Sequence, residues 1–237
     1  MRLLILFFVL LGVIYGDVYT AKTKNGTYCI VLEANITGTI YYNKMDVKKL
    51  VEYKFTVPHG ADSSGDCKGP NENQILNINF KPEEKEDLIW NINLMFTKNP
   101  DVKDKSFKLV NYHLNTDFSN SSFFNSTQPK IAFKKTGEIF EWESNRDNTA
   151  YQCSTVSLDL ETSSKIDFKN LRVIAEEELK NPYFKNDTIF SLCAADTMTS
   201  DVVPIVVGAC LTGLVVAVLI AYLIGRHKAK RQGYASV

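Results

Sequence analysis

The chain has 237 residues, which is enough for one sizeable domain or two small ones, and it has no formal net charge. Its charges are unevenly placed: five of the 27 basic residues lie at Arg2 and in the last dozen positions, so residues 17–201 carry 22 basic residues against all 27 acidic ones. This mildly acidic body argues against nucleic-acid binding, because that function needs a basic face.

The first sixteen residues read MRLLILFFVLLGVIYG, a cation followed by an apolar run and then a small residue. The run is too short to cross a bilayer, and polar sequence follows it at once. We interpret residues 1–16 as a signal peptide that is cleaved after Gly16. The alternative is a buried N-terminal strand.

A second apolar segment, residues 202–224, contains no charged side chain. As a helix it would be roughly 34 Å long at about 1.5 Å per residue, enough to span a hydrocarbon core of about 30 Å. The basic segment GRHKAKR follows, and the positive-inside rule places that end in the cytoplasm. The sequence therefore predicts a type I membrane protein with a luminal domain over 17–201, a transmembrane helix over 202–224 and a cytoplasmic tail over 225–237.

Small residues recur at every fourth position of the predicted helix, namely Ala209, Gly213, Ala217 and Ala221. Such a stripe lets two helix backbones approach closely. It predicts weak homo-oligomerisation through the membrane helix, to which the luminal domain would contribute. The alternative interpretation is that these residues face lipid and contact no partner helix.

Four of the five cysteines lie in the body, at Cys29, Cys67, Cys153 and Cys193, and Cys210 lies in the span. An exported body is oxidised, and four cysteines allow three pairings. We predict sequential pairing, with partners 38 and 40 residues apart, because each pair then brackets one turn-rich excursion. A zinc site is the alternative, but there is no C-x-x-C and no nearby histidine pair, so no metal or other cofactor is expected.

The body also contains five Asn-x-Ser/Thr sequons. In an exported protein each one is a candidate glycosylation site on an exposed turn or strand edge. Their acceptor residues are Asn25, Asn35, Asn120, Asn125 and Asn186.

The body has the residue pattern of β-strands. LIWNINLMF and QILNINF alternate apolar with polar or smaller residues, which is the period of a half-buried strand. TYCIVLE, TGTIYY, LVEYKFTV, FKLVNYHL, AYQCSTVSLDL and IDFKNLRVI are further candidates, separated by turn-rich stretches such as HGADSSGDCKGPNEN. Only RVIAEEELK has a helical pattern. The fold class predicted is one all-β, antiparallel luminal domain followed by one C-terminal transmembrane helix.

Enzymatic motifs are missing from the sequence. His59, His113 and His227 are scattered, and no H-E-x-x-H, G-x-S-x-G, P-loop or G-x-G-x-x-G pattern occurs. Trp90 and Trp142 would be core residues more often than the walls of a ligand groove. We expect no enzyme and no catalytic residue.

The last 35 residues, VPIVVGACLTGLVVAVLIAYLIGRHKAKRQGYASV, resemble the span and tail of the lysosome-associated membrane glycoproteins. The shared features are Pro-Ile before a Gly-containing start, an exit like LIAYLIGR, and a short basic tail ending in Gly-Tyr-x-x-apolar. In the body, the paired cysteines resemble the repeating disulfide unit of that family, and AYQC followed by NLRVIAEE is similar to the stretch entering its last disulfide loop. The large vertebrate members carry two such units, whereas this chain has one. The resemblance implies a β-prism of three antiparallel faces.

The tail motif is predicted to be a sorting signal formed by Gly233, Tyr234 and Val237. Three other tyrosines also have an apolar residue three positions on, but only Tyr234 would reach the cytosol. An extended segment from Ile224 to Tyr234 would span up to roughly 35 Å, which suits capture by a clathrin adaptor complex beside the membrane.

The resemblance implies an integral glycoprotein of lysosomes and late endosomes, passing transiently through the plasma membrane. Its luminal domain would contribute to a protective lining, and the family's roles in membrane integrity, biogenesis and fusion would follow. A cargo-sorting or adhesion receptor cycling between the cell surface and endosomes is the alternative, and a tethered lysosomal enzyme is the third hypothesis.

Overall fold

The described part of the chain forms eleven β-strands followed by a short helix and a long one. The computed structural model describes residues 16–83, 87–98, 106–119, 121–137, 142–144, 149–197 and 202–232. In the long helix, side chains are described for residues 206–227. The strands are β1 (Asp17–Lys22), β2 (Tyr28–Asn43), β3 (Leu50–Thr56), β4 (Asp62–Asp66), β5 (Gln74–Phe80), β6 (Trp90–Lys98), β7 (Phe107–Asp117), β8 (Lys130–Lys134), β9 (Thr149–Asp159), β10 (Lys165–Ile174) and β11 (Ile189–Leu192). The helices are α1 (Ala194–Thr197) and α2 (Val202–Gln232).

The first sheet has six strands built around β2, which is 16 residues long. Its first half pairs with β1 and its second half with β3 on the same edge, while β10 pairs with the other edge. A register shift in β10 at Asn170, whose φ is 52°, interrupts the β2–β10 ladder between the two halves. A bulge of this kind bends a sheet. The first sheet therefore forms two panels.

The second sheet has five antiparallel strands in the order β4-β5-β6-β7-β8 and forms a third panel. Gly65 on β4 lies against β1, and a Cβ at this position would collide with the Ala21 side chain and the Ile75 carbonyl. The backbone N–H of Thr20 donates to Ser63 Oγ at 2.9 Å across the same junction. The absence of a side chain at Gly65 thus lets the two sheets meet along this edge.

One continuous apolar core fills the space between the panels. Alternate residues of β5 and β6 point inward, which buries Leu76, Ile78, Ile92 and Leu94 completely. Trp90 lies at the centre of a group of aromatic rings contributed by both sheets: Tyr53, Phe55, Phe80, Phe118 and Phe124. This arrangement confirms the all-β prediction for the described part of the body.

Several element predictions need correction. RVIAEEELK is not helical: its first residues continue β10, because Val173 pairs with both Leu32 and Tyr151 across the sheet. TYCIVLE and TGTIYY are one strand, β2, and HGADSSGDCKGPNEN contains β4. The pairing is not entirely antiparallel either, since β11 runs parallel to β9.

The chain divides into two compact units, Met1–Thr197 and Met198–Val237. We call the strands β1–β11 with their connections the β domain (residues 17–197). The other unit contains α2, which continues through the basic segment to Gln232. The basic segment after the predicted span is therefore helical rather than extended up to that residue, and at about 1.5 Å per residue it advances roughly 12 Å beyond Ile224.

Candidate functional site

Two disulfides tie the β domain together. Cys29, near the start of β2, bonds to Cys67, just after β4, so this bond links the two sheets, and its Cα atoms are 5.8 Å apart. Cys153 on β9 bonds to Cys193, just after β11, with Cα atoms 5.2 Å apart. The structure thus has the sequential pairing, 29 with 67 and 153 with 193.

The carboxylate of Asp196 lies close to the sulfurs of the second disulfide. Cysteine binds metals as a free thiolate, and both sulfurs of Cys153 and Cys193 are bonded to each other. This cluster consequently does not form a metal site.

Four of the five sequon asparagines lie among the described residues, and Asn120 does not. Asn25 in the β1–β2 turn and Asn186 before β11 are exposed. Asn35 is partly exposed on the outer surface of β2, between the buried neighbours Ala34 and Ile36. Asn125 follows β7, where its Nδ2 donates to Asp46 Oδ2 at 2.9 Å. All four are therefore on the surface, as glycosylation requires.

The long helix is apolar over Val206–His227, and it is the one candidate membrane span found among the described residues. Its four small residues, Ala209, Gly213, Ala217 and Ala221, are all exposed in the single chain. Apart from its chain neighbours and the backbone of its own helix, no atom of the described residues lies within 4 Å of the place that a Cβ on Gly213 would occupy. The stripe is thus sterically open to a second helix.

The predicted sorting residues, Gly233, Tyr234 and Val237, lie outside the described residues. The described helix stops one residue before Gly233.

Both tryptophans are core residues. Trp90 and Trp142 are fully buried, and the indole N–H of Trp90 donates to the Asp117 carbonyl at 3.0 Å. Trp142 packs edge-on against Phe168, with ring centroids 4.8 Å apart. Neither side chain lines a surface groove.

Glu176 has the most unusual environment among the described carboxylates. It follows β10 with a φ of 62°, and its backbone N–H donates to the Oε1 atom of Gln74 at the start of β5. Its own Oε1 atom is buried and has no hydrogen-bond partner. Burial raises its pKa to about 7; Glu72 also raises the pKa, while Lys98 opposes the shift.

Asparagines on the outside of the second sheet form a surface that was not predicted from the sequence. Two rows cross all five strands, and we call their surface the amide face. They are Asp62–Asn79–Asn91–Asn115–Ala132 and Ser64–Asn77–Asn93–His113–Lys134. The available signal was asparagine at alternate positions in QILNINF and WNINLMF.

Hydrogen bonds join side-chain amides of neighbouring strands on the amide face. Nδ2 of Asn91 donates to Oδ1 of Asn79, and Nδ2 of Asn93 donates to Oδ1 of Asn77, both at 2.9 Å. A third, longer contact of 3.5 Å runs from Asn115 to Asn91. Burial and the charge of Lys134 lower the pKa of His113, the one titratable residue in the middle of these rows.

The chain is similar to known proteins over most of its length. Residues 203–235 match the family described as "Lysosome-associated membrane glycoprotein 2, transmembrane segment". Lysosome-associated membrane glycoprotein 1 of Gallus gallus is 25% identical over 235 residues, which is 92% of this chain and 47% of that protein. The chain thus spans about half the length of this relative.

Solved structures share the fold of the β domain. The membrane-proximal domain of mouse lysosome-associated membrane protein 1 has a TM-score of 0.54 at 17% identity, covering 76% of this chain and 98% of that domain. The human protein LAMP-3 gives a TM-score of 0.51 at 17% identity, with coverages of 76% and 99%. The membrane-distal domain of mouse lysosome-associated membrane protein 2 gives 0.54 at 15% identity, with coverages of 75% and 98%.

These likenesses cover the span, most of the chain and the fold of the β domain. They agree with the disulfide-bonded all-β architecture and with the one apolar helix. This chain is thus similar to lysosome-associated membrane glycoproteins in its membrane-spanning segment and along most of its length, and its β domain has the fold of their solved domains.

Proposed function

We propose that this protein is a type I glycoprotein of lysosomal and late endosomal membranes. Its β domain would lie in the lumen as part of a protective lining, and its C-terminus would direct traffic. The observation that carries this proposal is the family match over residues 203–235, which includes Gly233 and Tyr234. Roles in organelle integrity, biogenesis and fusion extend the proposal by analogy with the family.

The chemistry of the β domain suits a lining. Two disulfides close segments with partners 38 and 40 residues apart, and each closure stabilises the fold by about 4 kcal/mol in the chain-entropy model. Sugars on Asn25, Asn35, Asn125 and Asn186 would project from different parts of the surface and shield the backbone from hydrolases. This role needs no catalytic group.

The sorting signal would consist of Tyr234 and Val237, with Gly233 leaving the approach to the tyrosine unobstructed. An extended Tyr234–Val237 segment holds its two side chains about 10 Å apart, at roughly 3.3 Å per residue, which fits a two-pocket mode of peptide capture. The tyrosine would supply a ring and a hydroxyl donor, and the valine an apolar anchor. A clathrin adaptor complex is the partner that we propose.

The test is the steady-state location of the full chain in cells. Tyr234→Ala should move the protein from lysosomes to the cell surface and leave its folding and glycosylation unchanged. Ser236→Ala, a change between the two anchors, is the matched control and should remain lysosomal. Normal lysosomal accumulation of the Tyr234→Ala variant would show that the tail is not the signal.

A further inference from the structure

The amide face carries no glycosylation sequon. None of its asparagines has serine or threonine two residues later. The five sequons lie elsewhere: Asn25 between β1 and β2, Asn35 on the first sheet, Asn120 and Asn125 between β7 and β8, and Asn186 before β11. On a domain with sugars at these positions, the second sheet would remain bare.

Acidic and basic side chains lie on opposite edges of this face. Its β4 edge carries the exposed carboxylates of Asp62 and Asp66, on either side of Ser64. Its β8 edge carries the exposed ammonium groups of Lys130 and Lys134, and Asp117 pairs with Lys130 at 3.4 Å. Between the edges lie neutral amides and His113. One edge of the face is therefore acidic and the other basic.

We propose that the amide face binds the amide face of a second copy of this chain, through a two-fold axis parallel to the strands. Rotation about that axis exchanges the β4 and β8 edges of the face and leaves each residue at the same position along the strand direction. The acidic edge of each copy therefore meets the basic edge of the other. A two-fold contact of this kind uses the same patch on both partners. The inference specifies the homo-oligomer contact of the luminal domain and rests on the proposed membrane anchoring.

The register defines which groups meet. Ser64 and Lys134 belong to the same row, and ladder hydrogen bonds in an antiparallel sheet run perpendicular to the strands. Lys134 of each copy therefore lies opposite Ser64 of the other, between Asp62 and Asp66. These two carboxylates are each about 7 Å along the strand from that point, within reach of a flexible lysine side chain.

The middle of the contact is self-complementary. Each asparagine side chain has two N–H donors and one carbonyl acceptor, so identical amide surfaces can hydrogen-bond to each other. The amides are already aligned across the strands by contacts such as Asn93 to Asn77, which reduces the side-chain entropy lost on association.

The contact is small. Four strand spacings of about 4.8 Å make the face roughly 19 Å wide, and a similar length gives roughly 400 Å² for each copy. This lies at the weak, transient end of protein interfaces. Confinement of the copies to one membrane would compensate by raising their effective concentration.

The experiment is a charge exchange at the two residues that meet. Ser64→Lys places a cation opposite Lys134, and Lys134→Glu places an anion opposite the acidic edge, so each variant alone repels itself at both symmetry-related contacts. In an equimolar mixture, both contacts are attractive again. Both positions are exposed, so the fold should tolerate either change.

The measurement is energy transfer between donor-labelled and acceptor-labelled full chains reconstituted in lipid vesicles at neutral pH, over a rising protein-to-lipid ratio. All chains would carry Gly213→Ile and Ala217→Ile to suppress association through the membrane helix. Each single variant should associate at least about tenfold more weakly than the parent, and the mixture should recover the parental level. A mixture that fails to recover, or single variants that associate like the parent, would overturn the proposal.

An N-glycan introduced on the amide face to block the contact gives an independent check in cells. Lys81→Thr converts Asn79 on the amide face into a sequon, and Lys81→Val has nearly the same shape without creating one. Glycosidase-sensitive mass verifies the added glycan. The threonine variant should lose cross-linked dimers and the valine variant should keep them, whereas equal cross-linking would contradict the proposed contact. Neither readout depends on Tyr234, so a failure of the sorting proposal would leave this test intact.

Discussion

Glu176→Gln should make the stability of the β domain less dependent on pH. The glutamate lies where the first sheet meets the second, and its carboxyl oxygen is buried without a hydrogen-bond donor. Burial disfavours the ionised form and raises the pKa from 4.5 to about 7. Glutamine has nearly the same shape and cannot ionise, so the substitution removes the charge at every pH.

The direction in which stability changes with pH follows from the number of protons bound in the folded and unfolded states. Between the unfolded pKa near 4.5 and the folded pKa near 7, the folded chain binds more protons, so stability falls as the pH rises through this window. The stabilising contribution of the protonated Glu176 is fully present below a pH of about 4.5 and is lost by a pH of about 7, above which stability no longer changes through this group. At 1.36 kcal/mol for each pKa unit, the upper bound is about 3 kcal/mol. Because Glu176 is only half-buried, solvent screening reduces this to about 1–2 kcal/mol.

The assay is urea unfolding of the full chain in nanodiscs at pH 4.5 and pH 7.5, followed by tryptophan fluorescence, since both tryptophans are buried. The variant should exceed the parent by about 1–2 kcal/mol at the higher pH and match it at the lower one. His113, whose pKa is lowered, acts in the opposite direction in both proteins and cancels in the difference. Glu178→Gln, at an exposed position, is the control. The same difference at both pH values would refute this account of Glu176.

Three further outcomes are expected. Replacing Cys153 and Cys193 together by serine should lower the free energy of unfolding by about 2–5 kcal/mol, measured by urea unfolding, and an unchanged midpoint would contradict a stabilising role for this bond. Asn25→Gln and Asn186→Gln should each remove one glycosidase-sensitive mass increment from the cell-expressed protein; a band that does not move would mean that the site is unused. Gly213→Ile with Ala217→Ile should reduce dimer signal in a membrane two-hybrid assay, and an unchanged signal would leave the stripe without a role.

Alternation in the sequence was sufficient to predict the central strands of the second sheet. Gln74–Phe80 matches the predicted segment QILNINF, because every second residue is buried there. The edge strand β4, DSSGD, has no apolar residue and could not be recognised in this way. It is a strand because β5 supplies a hydrogen-bonding partner and Gly65 lets β1 approach, and both causes are tertiary.

The segment RVIAEEELK shows the opposite failure. Alanine and glutamate are good helix formers, so the local propensity of this segment favours a helix. Val173, however, pairs with strands on both sides, and Ala175 is buried against the core. Tertiary packing outweighs propensity here, and the glutamates lie in the connection that follows β10, where Glu176 obtains its unusual environment.

The amide face needed information that a single sequence does not contain. Asparagines at alternate positions imply only that each strand has a polar side. Whether they form a common surface depends on register, and a shift of one residue would have turned the asparagines of a strand toward the core. The observed register instead aligns Asn77 with Asn93 and Asn79 with Asn91. It also places Ser64 and Lys134 at opposite ends of one row, and the charge exchange between these two residues follows from that alignment.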